Sequence, residues 1–381
     1  MPLAGRRPGV SDGPHRGGMD TLRVTLVSDT FLPSRDDRTA TVRQVADRLI
    51  DTGHEVRIVA PGPGLTTYRG ARIDRIRTWA RPGRQLREAL GAHRPDLVHV
   101  ASPDALGRSA LKQARRLGLP TLVVEQAAVP EFAPDYWREQ VAGRADRLLV
   151  TSTWVRARLA DQDVAAEVWL PGVDTDAFHP RLRSESLHEH WARARQGARP
   201  DASGAPPVVV GYVGPLHKRH GVGRLRGLAG LPGIRLVVIG DGPQRGWLAS
   251  QLPGAALLHP MSTGDLGISL ASLDLLVHPG RQETCAHALR AASASGVPIV
   301  APRVGGALDA LRHQENGIFA DTPDAAGLRQ AVLAVARDPH RALLGQGGRR
   351  RAEQRDWRRA VDELVGVHYP AVLGQARHPA A

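Results

Sequence analysis

Short apolar runs alternate with amphipathic stretches along almost the whole chain. In the first half, LRVTLVSD (22–29), HEVRIVA (54–60), ARIDRIR (71–77), DLVHVA (96–101), PTLVVE (120–125), DRLLVTS (146–152) and AEVWLP (166–171) read as strands. Runs this continuous, rather than alternating apolar and polar, are typical of parallel sheets covered on both faces. Helical spacing lies between most of them. One stretch, roughly Thr41 to Asp51, puts Val42, Val45, Leu49 and Ile50 on one face, and another spans roughly Leu106 to Leu117.

Residues 184–207 break the pattern with a polar, charged stretch bearing Pro and Gly, as expected between domains. The alternation restarts with PVVVGYVG (207–214), IRLVVIGDG (234–242), AALLH (255–259), LDLLVHPG (273–280) and VPIVAP (297–302). The last element, 355–373, spaces Trp357, Val361, Leu364, Val365 and His368 helically and is long enough to pack on another domain. The expectation is an α/β protein of two Rossmann-like doubly wound domains facing a cleft. The expected division is a disordered basic tail at 1–19, a first domain at 20–183, a second at 208–354, and a helix at 355–374 crossing back to the first. Ligands in such sheets bind outside the carboxyl ends of the strands.

Composition adjusts this picture in three places. A length of 381 residues suits two domains, and 42% hydrophobic content suits real cores. No run of eighteen apolar residues predicts a membrane span, and the N-terminal twenty lack the apolar segment of a signal peptide. Met19, just before the first strand, reads as an alternative start. Cys285 is the one cysteine, which excludes an internal disulfide and points to a reducing cytoplasm.

The net charge of +13 raises nucleic acid as a partner. Against it, the charge is nearly all arginine, scattered along the chain, and aromatics are only 4%, too few for stacking platforms. Peripheral contact with an anionic membrane fits the same charge.

Candidate chemistry gathers in the second half. Glu283 stands between an apolar strand and an Ala-rich helical stretch, where an acid either complements a helix start or holds a ligand. Gly240 and Gly242 in IGDGPQRGWL, with Pro243 suited to a first helical position, could bring backbone N–H groups to a nucleotide, although any tight turn needs glycines too. Gly305 and Gly306 in RVGGALDAL have the same character. The segment PLHKRHG concentrates His217, Lys218, Arg219 and His220 at the end of a strand, placed to neutralise a diphosphate or simply to form a solvated basic loop. No Ser-His-Asp or Cys-His arrangement is compelling, and no Cys/His ligand set stands at zinc spacing.

The segments SDTFLPS, PDLVHVASPDALG, PGVDTDAFHP, VVVGYVGPL, VIGDGP, SLDLLVHPGRQETC, SASGVPIVAPRVGGALDAL, NGIFA and RDWRRAVDELVGVHY occur in one order. Together they resemble family 4 glycosyltransferases of the GT-B fold, most of all the actinobacterial GDP-mannose-dependent α-mannosyltransferases. The resemblance implies a retaining hexosyl transfer, of mannose for instance, from a nucleotide-diphosphate sugar to a lipid, glycan or small-molecule acceptor, with no metal and no cofactor. Taken with the residues at hand, Glu283 is expected in catalysis, with Lys218 and Arg219 standing in for the family's cations. His217, His220, Gly240, Gly242, Pro243, Thr284, Gly305, Gly306 and Asp309 fall to the donor, and Asp29, Thr30, Phe31 and Glu125 to the acceptor side.

The chain departs from the family pattern at several positions. Pro215 and His220 stand where the family has an Arg and a Lys on the diphosphate, and Ala291 where it has a second glutamate, expected to face the cleft at the ribose. The 34–40 loop, SRDDRTA, lacks glycine, and Ala127 and Ala128 replace polar residues near the donor sugar. Lys218 and Arg219 are the natural substitutes for the missing cations. The alternative reading is a glycosyltransferase-like protein impaired in catalysis that binds nucleotide weakly or serves as a partner subunit.

Overall fold

The computed structural model describes residues 21–34, 36–127, 135–193, 204, 206–282 and 285–377. The expected tail at 1–19 and the site candidates Glu283 and Thr284 therefore lie outside the described residues, as does Ala128.

The first half forms one eight-stranded sheet. Its strands are β1 (Arg23–Ser28), β2 (Glu55–Pro61), β3 (Thr67–Tyr68), β4 (Ala71–Ile76), β5 (Leu97–Ala101), β6 (Thr121–Glu125), β7 (Arg147–Val150) and β8 (Glu167–Val168), in the order β3-β4-β2-β1-β5-β6-β7-β8. All pairings are parallel except β3 with β4. Every residue of β5 and β6 is buried, which is why these runs carry no polar alternation.

The second half forms a six-stranded parallel sheet from β9 (Val208–Val213), β10 (Ile234–Ile239), β11 (Ala256–Leu258), β12 (Leu275–Val277), β13 (Ile299–Pro302) and β14 (Gly317–Ala320). Its order is β11-β10-β9-β12-β13-β14. The edge strands β3 and β14 were not expected. β3 has two residues and β14 begins on a glycine, where a Cβ would fall 2.0 Å from the Ile299 carbonyl oxygen, so neither shows an apolar run of strand length.

The helix after β1 spans Asp37–Asp51 and starts one turn earlier than the apolar spacing indicates. Asp36 caps it, accepting from the Thr39 N–H at 2.7 Å, and its first turn is polar, which hid it from the periodicity. Within the polar stretch after residue 183 lies a further helix, Glu185–Ala192, whose Trp191 is buried in the second core.

Two segments join the halves, and they meet. Val173 and Asp356 form a parallel bridge, with Val173 N–H donating to Arg355 O at 3.3 Å and Trp357 N–H to Val173 O at 3.2 Å. From there the Trp357–Glu363 helix returns to the first half, where Ala360, Val361, Leu364, Tyr369 and Val372 enter its core. Trp169 Nε1 donates to Ala360 O at 2.8 Å, and His99 Nδ1 lies 2.8 Å from the Tyr369 hydroxyl. The terminal helix is not uniform: a wide turn at Leu364–His368 separates Trp357–Glu363 from Tyr369–Arg377. Pro370 accounts for it, since proline lacks the N–H for the carbonyl four residues back and its ring crowds that carbonyl.

Candidate functional site

The carboxyl ends of the two sheets face each other, and the candidate residues fall on these opposing walls. On the first wall β1 ends in Ser28 and leads to Asp29, Thr30 and Phe31. Asp29 accepts from Leu106 N–H at 2.8 Å and Gly107 N–H at 3.0 Å, the start of the Ala105–Arg116 helix. Burial raises its pKa against the pull of those two bonds. Phe31 is buried edge-to-face on Tyr68 at 5.6 Å, and Thr30 Oγ1 donates to Asp36 at 3.1 Å. Asp29 and Phe31 thus fix the loop at the end of β1.

Glu125 ends β6 with 3% exposure, and burial pushes its carboxyl up to about 7. It accepts from the Ala127 N–H and lies within electrostatic reach of Arg38, whose guanidinium pairs with Asp104. The sequence reading missed Arg38. The only signal was the loop SRDDRTA, where arginine stands in a stretch without glycine.

On the second wall the chain leaves β9 through Pro215 and Leu216 into a single turn, Lys218–His220. Lys218 and Arg219 are exposed and His217 and His220 half-buried, their rings 6.3 Å apart. Among the described residues neither Lys218 nor Arg219 pairs with a carboxylate. The turn ends on Gly221 at φ +70°, and Arg224 Nη1 donates to Pro279 O at 2.9 Å, tying it to the loop after β12. That loop holds His278, which burial lowers to about 4 and whose Nε2 has no hydrogen-bond partner among the described residues. A Cβ at Gly280 would fall 2.5 Å from that nitrogen and 3.3 Å from His220 O, so glycine lets this loop close over its own histidine beside the cationic turn.

Gly240 and Gly242 serve the same crowding. A Cβ on Gly240 would lie 2.0 Å from Gly214 O, and one on Gly242 2.7 Å from Leu216 O. Pro243 does not occupy the first helical position, because Gln244 N–H donates to Leu216 O at 2.9 Å and the helix begins only at Arg245 (Arg245–Gln251). The structure therefore gathers His217, Lys218, Arg219, His220, Gly240 and Gly242 around Leu216.

The helix beyond Glu283 begins at His287 (His287–Ala294), with Ala286 left-handed just before it. Its first turn is therefore 287–290, four residues past Glu283. Ala291 is 5% exposed and packs in the second core, not into open cleft as expected. Gly305 and Gly306 are buried and open the short Ala307–Ala310 helix, Gly305 at φ +65°.

Asp309, whose N–H donates to Gly306 O at 3.2 Å, reaches across to the first wall. Both its carboxylate oxygens accept from Thr153 of the first half, one from the N–H and one from Oγ1, each at 2.9 Å. Two more contacts bridge the walls. Thr41 Oγ1 lies 3.3 Å from His287 Nε2, and Cys285 Sγ lies 3.6 Å from Gln126 O and 3.4 Å from Thr151 Oγ1. Among the described residues no group of three His, Cys, Asp or Glu side chains is placed to hold a metal, and no helix is long and apolar enough to cross a membrane.

Residues 39–177 match the Glycosyltransferase Family 4 domain and residues 207–338 the Glycosyl transferases group 1 domain. The chain is 35% identical to the GDP-mannose-dependent alpha-mannosyltransferase of Mycolicibacterium smegmatis, over 93% of this chain and 98% of that one. It is 34% identical to the protein of the same description from Mycobacterium tuberculosis, over 94% and 99%. The fold matches Anabaena HepE, solved in complex with UDP, with a TM-score of 0.75 at 15% identity, covering 92% of this chain and all of that one. The architecture is GT-B, and the chain belongs to glycosyltransferase family 4.

Proposed function

We propose that the protein is a cytoplasmic retaining mannosyltransferase that takes its sugar from GDP-mannose and passes it to a glycan, lipid or small-molecule hydroxyl. Identity of about a third to the mannosyltransferases over nearly the whole chain supports the donor. The single observation that carries the chemistry is the exposed pair Lys218 and Arg219 at the carboxyl end of β9, free of carboxylate partners among the described residues.

Cleaving the bond from sugar to diphosphate builds positive charge on the sugar and negative charge on the leaving phosphate. Fixed cations aimed at that phosphate lower the barrier, each contact contributing about 3 kcal/mol. Lys218 and Arg219 supply this charge in a segment with Pro215 and His220 beside them, while Glu283 holds the sugar and the turns at Gly240–Gly242 and Gly305–Gly306 seat the nucleotide. The acceptor enters from the first wall, near Thr30 and Glu125. The net charge of +13 suits peripheral contact with an anionic membrane bearing a lipid acceptor.

A thermal-shift panel of GDP, UDP, ADP and their sugars tests the donor. At a hundredfold excess over Kd, GDP or GDP-mannose should stabilise by about 2.7 kcal/mol. A flat response to the guanine ligands overturns the reading. Transfer from GDP-mannose should fall at least about tenfold in Lys218→Ala or Arg219→Ala, and unchanged rates would remove these residues from the mechanism.

A further inference from the structure

Three sets of side-chain contacts tie the two walls of this cleft together. Those contacts sit on the chain after β1 (Thr41), after β6 (Gln126) and after β7 (Thr151, Thr153), so they span the middle of the first sheet. On the second wall they all fall on segments that follow β12 and β13, the strands flanking the donor loops.

The contact at Asp309 differs from the other two in strength and direction. A carboxylate that accepts from a backbone N–H and a hydroxyl at the first turn of a helix makes two charge-assisted bonds and meets the positive end of the helix dipole. The helix is Thr153–Ala160, capped by Ser152, which accepts from Val155 N–H at 3.2 Å. Asp309 itself is 9% exposed, so water does not replace these bonds while the cleft is shut.

Arg290, on the helix His287–Ala294, lies within electrostatic reach of the same carboxylate. Arg290 donates through Nε to Cys285 O at 3.1 Å, but its Nη2 is buried without a hydrogen-bond partner among the described residues. Burial lowers the pKa of Arg290 to about 10, and the charge of Asp309 pulls it back upward.

We propose that Asp309 is a positioning residue whose carboxylate latches the two domains together through Thr153 and, by its place one turn beyond Gly305 and Gly306, sets the donor loop only when the cleft is closed. The inference rests on the nucleotide-sugar reading for its kinetic readout alone.

The test is a double-mutant cycle on the full chain with Asp309→Ala, Thr153→Val and the pair, read by GDP-mannose turnover and by small-angle scattering. Asp309→Ala should lower kcat/KM at least about tenfold with its unfolding temperature retained. Thr153→Val, which keeps the backbone N–H, should lower it about threefold. The pair should be no worse than Asp309→Ala alone, as members of one contact behave. Scattering should show a larger radius of gyration for Asp309→Ala than for wild type, and Asp309→Asn should fall between.

Additive losses, or a folded Asp309→Ala with wild-type kcat/KM and wild-type dimensions, overturn the latch. If Asp309→Ala does not fold, Thr153→Val and Asp309→Asn carry the same test. A wild type without turnover on any sugar nucleotide overturns the transfer reading instead, and the scattering comparison then decides the latch by itself.

Discussion

Arg219 donates through Nε to His220 Nε2 at 3.2 Å. The imidazole therefore acts as an acceptor and consumes a donor of its cationic neighbour, where a lysine would have added a charge. His220→Lys should free Arg219 and tighten GDP binding about fivefold, or about 1 kcal/mol, as one more charge-assisted phosphate contact implies. His220→Ala should give a smaller gain from the release of Arg219 alone. Calorimetric titration with GDP checks both, and a weaker His220→Lys would mean that the histidine contributes to the site as it stands.

Glu125 predicts a pH dependence with a definite sign. Its pKa is raised by burial from 4.5 to about 7, so between those values the native state holds a proton that the unfolded chain has lost. Stability from this group is present below about pH 4.5 and is lost as pH rises to about 7. Glu125→Gln removes the titration. Its stability relative to wild type should climb by about 3 kcal/mol between pH 4.5 and 7 and stay level above. Urea unfolding of both proteins at several pH values reads this directly. A constant difference across that range would show that Arg38 keeps Glu125 ionised.

Cys285 offers a reporter on the cleft. It is 4% exposed and packed against Gln126 O and Thr151 Oγ1 on the opposing wall. An aromatic disulfide reagent should label it only slowly in the native protein, at once in denaturant, and more slowly still with GDP present. Native labelling as fast as in denaturant would mean that the walls do not meet in solution.

The parts of this molecule legible in the sequence are those where burial leaves a local trace. β5 and β6 are buried along their whole length and appear as unbroken apolar runs, and the domain-returning helix shows Val361, Leu364 and Val365 at helical spacing. The polar start of the Asp37–Asp51 helix, the glycine-led β14 and the helix at Glu185–Ala192 left weaker traces, because caps and tertiary contacts set them. The site divides in the same way. The cationic turn at 217–220 was visible as composition, whereas the commitment of Asp29 to Leu106 and Gly107, and of Asp309 to Thr153, depends on partners 77 and 156 residues away. No spacing rule reaches that far.

The crossing of the two connecting segments yields the last prediction. Gly172 lies against the backbone of the returning helix: a Cβ there would fall 2.5 Å from Trp357 Cα and N and 2.6 Å from the Asp356 carbonyl carbon. None of these is the end of a flexible side chain, so an added methyl must push the backbones apart. That would strain the Val173–Asp356 bridge and the Trp169–Trp357 contact, whose rings lie 6.4 Å apart. Gly172→Ala should therefore cost about 3 kcal/mol, the upper range for overpacking. Gly91 is the matched control, an exposed position of the Pro82–His93 helix with nothing within 4 Å of its added Cβ. There the same substitution should raise stability by about 1 kcal/mol, the helix-propensity difference between glycine and alanine. Thermal unfolding of the two variants should displace the midpoint in opposite directions. A Gly172→Ala protein as stable as wild type would mean that the two segments are not in contact where they cross.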